Sequence, residues 1–372
     1  MTRRKERGPM ETTTREPVAE DTAAGATSEG EAEGAVLAVV ELDFHWPTLD
    51  PFMLCAHHDD AYPAGDGQLR PVADLSGRDV GQDFSGRHGF SMYHGSAVPG
   101  FPSHPHRGFE TVTFVRRGLI DHADSLGAAA RFGRGDVQWL TAGSGIQHSE
   151  MFPLVETERP NPLELFQIWL NLPATDKFVD PYFTMLWNEE LPVVHHRDAN
   201  GRAVDVTVIA GRFGETEPLA PPPNSWAARP ESQVAIWHFH LQPDATITIP
   251  GAEAGSRANR ALYMFEGDTA TVAGTELHND HAAQLIPERD VVVRAGAVPV
   301  EMLLLQGAPI GEPVARYGPF VMNTEAELHA AFEDYRRTRF GGWPWAVSDP
   351  DHGPERGRFA RHPDGRLEDR EG

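Results

Sequence analysis

Turn residues cut this chain into short pieces, and that punctuation constrains its fold more than any other feature. Thirty-six Gly and 31 Pro are spread through 372 residues. Between them lie short runs rich in β-branched and aromatic side chains: "ETVTFV", "DVQWLTAG", "LFQIWLNL", "VDVTVIAG", "QVAIWHFHL", "ATITIP", "ALYMF", "DVVVRAG" and "EMLLLQG". Runs of this length, bounded by Gly and Pro, read as strands, and a chain built from them is all-β. One segment has a helical period. In "NTEAELHAAFEDYRRTRF", Leu328, Phe332 and Tyr335 return at the spacing of one helical face behind an Asn/Thr cap, which predicts a helix near 324–338.

A faint repeat organises the strands. "TVTFVRRG" followed by "RFGRGDVQWLTAG" is echoed by "RALYMFEG" followed by "LIPERDVVVRAG". Two similar antiparallel barrels or sandwiches in tandem account for this. The boundary is expected between 170 and 205, giving a first domain over 37–180 and a second over 181–345. Residues 1–36 and 346–372 hold few large apolar side chains. They bury too little surface to offset chain entropy, and both are expected to be disordered tails.

The formal net charge of -23 repels phosphate backbones and anionic lipid, which argues against direct nucleic-acid or membrane binding. An acidic surface is compatible with protein partners. No apolar run approaches the ~18–20 residues that span a bilayer. "MTRRKERGPM" is basic, but no apolar core follows it as in a secretory signal. The single cysteine, Cys55, excludes an internal disulfide, suits a reducing cytoplasmic setting, and reads as a small buried hydrophobe.

The chemistry concentrates in "HPHRGFETVTF" at 104–114 and "TAGSGIQHSEMF" at 141–152. Residues i and i+2 of a strand share a face, so His104 and His106 form one pair of potential ligands, with Glu110 in phase if the strand continues. His148 and Glu150 form a second pair after a Gly-rich turn. Two such pairs on neighbouring strands of a small barrel can converge on one ion. Three neutral imidazoles and one carboxylate would leave a divalent ion at net +1, and this ligand type favours Fe, Mn, Ni, Cu or Zn over Ca or Mg.

These blocks, together with "FQIWLNLP" and "EPVARYGPFVMNTEAELHAAFEDYRRTRFG", closely resemble the pirin family of the cupin superfamily over most of residues 45–340. The resemblance implies a bicupin: two tandem cupin-type antiparallel β-barrels with a C-terminal helix and one metal in the N-terminal barrel. Iron(II) is the expected ion, with Mn, Ni, Cu or Zn as alternatives. Carried over residue by residue, the ligands would be His104, His106, His148 and Glu150. Glu110 becomes a supporting or strand-anchoring carboxylate, and Arg107 its salt-bridge partner or a cation of the pocket. The implied activity is a quercetinase-type dioxygenase acting on a flavonol or related enol with dioxygen, Glu150 serving as base. The alternative is a non-enzymatic metal- or redox-sensing partner of a transcription factor or metabolic enzyme. This sequence departs from shorter pirins in its N-terminal tail and in a long segment over 69–100, which could fold over the barrel mouth.

Other histidines imitate the motif. His238 and His240 are also at i and i+2, but the stretches that echo the first-half motif hold no partners for them, so a second metal site is not expected. An inter-barrel or partly exposed face suits that pair. His57–His58 with Asp59–Asp60, and His195–His196, are adjacent residues that would point to opposite faces; solvated loops are expected for both. His278 and His281 are expected at a hairpin turn.

Overall fold

The computed structural model describes residues 34–370, so the tail expected over 1–36 lies, as far as residue 33, outside the described residues. The first strands are β1 (Val36–Glu41), β2 (His45–Trp46), β3 (Phe52–Tyr62), β4 (Gly100–His106), β5 (Phe109–Arg117) and β6 (Leu119–Asp124). They are followed by β7 (Ala129–Gly133), β8 (Val137–Thr141), β9 (Ile146–Met151), β10 (Asn161–Asn171) and β11 (Tyr182–Leu186). The second half contains β12 (Val193–Arg197), β13 (Ala203–Ala210), β14 (Ala235–Leu241), β15 (Thr246–Ile249), β16 (Asn259–Glu266) and β17 (Thr269–Val272). It continues through β18 (Thr275–His278), β19 (His281–Leu285), β20 (Val291–Ala295), β21 (Val300–Gly307), β22 (Ala315–Tyr317) and β23 (Phe320–Met322). Helix α1 (Glu325–Thr338) and strands β24 (Arg358–Arg361) and β25 (Leu367–Arg370) close the chain. The helix begins at a Thr324–Glu327 capping box, as its sequence predicts.

Two barrels result, each made of two antiparallel sheets. The first combines a six-stranded sheet, β11-β8-β5-β10-β3-β2, with another, β25-β24-β7-β6-β9-β4. The second combines seven strands, β1-β19-β16-β21-β14-β13-β12, with four, β15-β20-β17-β18. The halves share one pairing scheme. β5 pairs with β8 and β10, β6 with β7 and β9, and β4 with β9. Correspondingly β16 pairs with β19 and β21, β17 with β18 and β20, and β15 with β20. The repeat is therefore real, but its register differs from the one read in the sequence. The counterpart of "VQWLT" in β8 is β19, not the "VVVRA" of β20. Successive hairpins with similar turns make a one-hairpin slip invisible to composition.

Three boundaries also differ. β11 pairs with β8, so the first barrel runs past residue 180. β1 pairs with β19, so residues 36–41 complete the second barrel although they precede the first. The stretch 346–372, expected to be disordered, instead supplies β24 and β25, and β24 extends the first barrel by pairing with β7. Buried polar contacts hold it: Arg358 reaches Asp136 at 2.8 Å, and the buried Arg131 donates to the carbonyls of Gly353 and Arg356. Ion pairs and edge-strand hydrogen bonds do here what apolar area does elsewhere, so a scan for large hydrophobes passes over the segment.

The barrels meet through their large sheets. Phe166, Ile168 and Leu170 of β10 share one apolar cluster with Ile236, Tyr263, Leu303 and Leu305 of the second barrel. Leu165, Gln167 and Trp169, on the opposite face of β10, line a cavity in the first barrel. A sheet covered on both faces reads as a nearly continuous apolar run, which is why "LFQIWLNL" lacks clean alternation. Cys55 is fully buried in the inter-barrel layer, as expected, and burial pushes its thiol up. Among the described residues no helix is long and apolar enough to cross a membrane.

Arg116 bridges the barrels, reaching Glu164 of β10 at 2.6 Å and Glu301 of β21 at 2.5 Å. Burial alone would raise the Glu164 carboxyl, but the His57 hydrogen bond and the Arg116 and Arg117 charges overrule it and hold it at about 2. A carboxylate depressed in the folded state stabilises the fold above its unfolded value of 4.5 and loses that stabilisation as pH falls toward 2. The full shift corresponds to about 3 kcal/mol, of which about 2 kcal/mol is gone at pH 3. Urea unfolding at pH 7 and pH 3 is expected to lose that much less stability in Glu164→Gln than in the wild type. Equal losses would show that the bridge is not a pH-linked tie.

Candidate metal centre

β4 and β9 lie side by side, and their register sets His104 opposite His148. His106 follows on the same strand, and one ring nitrogen from each of the three histidines lies within 4.8 Å of the other two. Backbone carbonyls fix two of the tautomers. His104 Nδ1 donates to Pro102 O at 2.9 Å and His106 Nδ1 to Pro319 O at 3.4 Å, which leaves each Nε2 with a free lone pair. Both ring nitrogens of His148 are buried and have no hydrogen-bond partner among the described residues. Burial lowers His104 to about 4 and pushes His106 and His148 well below the ordinary histidine value, with neighbouring imidazoles adding to the effect in each case. Neutral imidazole is the form that binds metals. A buried cluster of neutral nitrogens, one ring wholly orphaned, fits a divalent transition ion better than it fits an apolar core.

Glu150 stands beside this trio rather than inside it, with Oε2 3.8 Å from His148 Nε2. Burial raises its carboxyl, against the His122 charge and the hydrogen bond from Gln167. Gln167 Nε2 donates to Glu150 Oε2 at 3.1 Å, while Thr113 Oγ1 lies 2.5 Å from Gln167 Oε1. One hydroxyl proton thus orients the amide, and the amide orients the carboxylate. Sequence reading missed both residues; the available signal was a solitary Gln inside the apolar run of β10. It also missed His122, which faces Glu150 across the β6–β9 pair with its ring 5.5 Å from that of His148.

Glu110 points away from the cluster. Fully buried, it accepts from Trp139 Nε1 at 2.9 Å and Thr141 Oγ1 at 3.0 Å, and on its other oxygen from Ser225 Oγ and the Trp226 amide. It therefore anchors strands β5 and β8 to the inter-barrel connection. Burial lifts it to about 7 in spite of these four donors. Arg107 is neither its partner nor a cation of the pocket. Its guanidinium lies over the Phe340 ring, reaches Asp334 of α1 at 2.6 Å and donates to Ser144 O. The C-terminal helix is thereby clamped against the first barrel. Pro319, whose carbonyl orients His106, precedes that helix.

A cavity of about 230 Å³ opens beside the trio, lined by His104, His106, Glu150 and Gln167 and by the apolar walls of Leu165, Phe101, Phe152 and Trp169. Phe44 and Phe84 stand half-exposed at its mouth. Phe84 comes from the segment 69–100, which packs along β3 and partly closes the opening. Among the described residues the second barrel holds no equivalent cluster. The positions matching His104, His106, His148 and Glu150 in the shared pairing scheme are Ile247, Ile249, Val293 and Ala295, all buried in that barrel's core. His238 lies between the barrels, 2.6 Å from Glu301. His278 and His281 flank the β18–β19 hairpin, as expected. His195 and His196 are exposed as expected, though on strand β12 rather than in a loop.

The expectation of a solvated loop at 57–60 is overturned. His57 through Asp60 are interior residues of β3, where His58 lines the cavity and Asp60 is buried behind it. His58 and Asp60 resemble part of a polar loop only while the segment 69–100, which brings Tyr93 and Ser91 against them, is unknown; His57 packs on Phe166 on the other face and Asp59 is exposed.

Comparison with known proteins agrees with this architecture. The Pirin family matches residues 46–170, and the Pirin C-terminal cupin domain matches residues 236–341. A Pseudomonas aeruginosa protein designated a candidate quercetin 2,3-dioxygenase is 36% identical over 242 residues, covering 65% of this chain and 79% of that protein. Pirin-1 of Arabidopsis thaliana is 36% identical over 254 residues, 66% of this chain and 80% of its own. A crystal structure of quercetin 2,3-dioxygenase from Acinetobacter baumannii superposes with a TM-score of 0.65 at 25% identity, covering 84% of this chain and 99% of that one.

Proposed function

The chain belongs to the pirin family, and from that premise we propose that it is a metal-dependent dioxygenase of quercetinase type. The observation that supports this best is the buried three-imidazole cluster opening, beside a positioned carboxylate, into an aromatic-walled cavity. His104, His106, His148 and Glu150 would hold one divalent transition ion, iron(II) first among the candidates. When bound, the ion supplies Lewis-acid polarisation of a substrate enol oxygen and redox access to dioxygen.

The chain's own residues do the rest. Glu150 accepts the enol proton: the O–H bond breaks, the electron pair stays on oxygen, and the proton passes to the carboxylate. Gln167 holds that carboxylate in place through its amide, itself set by Thr113. Phe101, Phe152 and Trp169 offer flat apolar surfaces to a planar substrate and exclude water from the reacting end. Because the proton stays in the site on Glu150, the net charge of +1 is the same before and after the transfer, and no extra charge is brought into the low-dielectric cavity. Ring opening then consumes dioxygen and releases carbon monoxide.

The test is reconstitution of the protein separately with Fe(II), Mn(II), Ni(II), Cu(II) and Zn(II), with flavonol loss and carbon monoxide release measured in air. Turnover with at least one redox-active ion is expected. Stoichiometric binding without turnover for every ion would sink the dioxygenase and favour the metal-sensing partner role.

A further inference from the structure

The outer wall of the cavity contains a hydrogen-bonded chain that the mechanism above does not use. His58 Nδ1 lies 2.8 Å from Tyr93 Oη, and Tyr93 Oη lies 2.7 Å from Asp60 Oδ2. Asp60 Oδ1 accepts the Ser91 amide at 2.8 Å. His58 and Asp60 belong to β3, whereas Ser91 and Tyr93 come from the segment 69–100. His58 is only 6% exposed, faces the cavity, and its Nε2 makes no hydrogen bond among the described residues.

The chain has a definite polarity. Burial raises Asp60, against its bonds from Tyr93 and Ser91, to about 6, so at neutral pH it is a carboxylate and can only accept. The single hydroxyl proton of Tyr93 is spent on it. The Tyr93 oxygen must then accept from His58, which puts the imidazole proton on Nδ1 and leaves Nε2 as a bare acceptor. Burial, followed by the charges of His57 and His45, lowers His58 to about 3, so the ring stays neutral. Tyr93 is held in place by unusual backbone geometry. Its φ of 55° is left-handed, rare for a bulky side chain, and paired backbone hydrogen bonds with Asp83 at 2.8 and 3.0 Å fix it there. Its ring stacks on Phe101 with centroids 5.0 Å apart.

We propose that His58 is a specificity residue: its Nε2 accepts a hydroxyl proton from the part of an aromatic ligand remote from the metal-binding oxygen. Phe101 separates the two ends of the site, its ring 6.0 Å from His58 and 6.4 Å from His104. A ligand that satisfies both ends is planar, with an enol at one end and a phenolic hydroxyl at the other. This rests on the flavonol reading above and adds to it the requirement for the second hydroxyl.

The test uses the full chain loaded with Zn(II) under anaerobic conditions, so that binding is read without turnover. The probes are 3-hydroxyflavone, its 7-hydroxy and 4′-hydroxy derivatives, and the methyl ethers at those two positions. At one of the two positions the hydroxyl compound is expected to bind the wild type about tenfold more tightly than its ether, the fold-change of one net hydrogen bond. His58→Phe should erase this preference while keeping its zinc content and its affinity for 3-hydroxyflavone. Tyr93→Phe, which frees the tautomer without touching the ligand, should reduce the preference to about threefold. A preference of equal size in His58→Phe, or none in the wild type while 3-hydroxyflavone binds, overturns the role of His58 alone. Failure of every flavonol to bind overturns the flavonol reading and this inference together.

Discussion

Replacing His148 by alanine is expected to abolish metal binding, taking metal content from one equivalent per chain to near zero. His148 is the ring that joins the two strands of the site, and among the described residues neither of its nitrogens has a hydrogen-bond partner. The same fact predicts an unusual stability pattern. In most cores, truncating a buried imidazole breaks hydrogen bonds; here none exist to break, so the metal-free variant loses only packing. Adding metal is expected to raise the Tm of the wild type by linkage, because an ion held by the folded state alone shifts unfolding. That rise should vanish in His148→Ala. The check is elemental analysis together with thermal unfolding with and without metal, using His240→Ala in the second barrel as control. Unchanged metal content in His148→Ala would show that the ion sits elsewhere.

Glu150→Gln is expected to lower turnover by about 10²–10⁴-fold, the range for loss of a positioned base. The neighbouring amide makes the change sharper than isosterism suggests. Gln167 presents Nε2 to this side chain, because Thr113 has claimed its oxygen. A glutamine at 150 that keeps this bond must hold its own oxygen at the Oε2 position and its NH₂ at the Oε1 position beside Thr113, and it has no negative charge with which to take up the proton. Metal should be retained on the three imidazoles with weakened affinity. Single-turnover flavonol loss at saturating metal separates the two effects. Activity within about threefold of wild type would remove Glu150 from the base role.

Much of the centre was legible because its signals are local. Period-2 spacing puts His104 with His106 and His148 with Glu150 on shared faces, and the structure adds that His104 and His148 are cross-strand neighbours. Helix α1 was equally plain, since a capping box and a 3.6-residue stripe are contiguous in sequence. Glu110 shows where local phase stops being informative. Spacing aims it at the ion, yet Trp139, Thr141, Ser225 and Trp226 draw it the other way, and two of those four lie more than a hundred residues downstream.

The sequence alone thus determined what short-range sterics and hydrophobic periodicity encode: strands between turns, two related barrels, one capped helix, and two in-phase pairs, His104 with His106 and His148 with Glu150. Tertiary structure alone decided which polar residue meets which. It matched Arg107 with Asp334, Arg358 with Asp136, and His58 with Tyr93 and Asp60. It also gave β1 to the second barrel and β24 to the first. The reason is physical. A buried charge or imidazole needs a partner of the right polarity within about 3 Å, and chain separation places no limit on where that partner comes from.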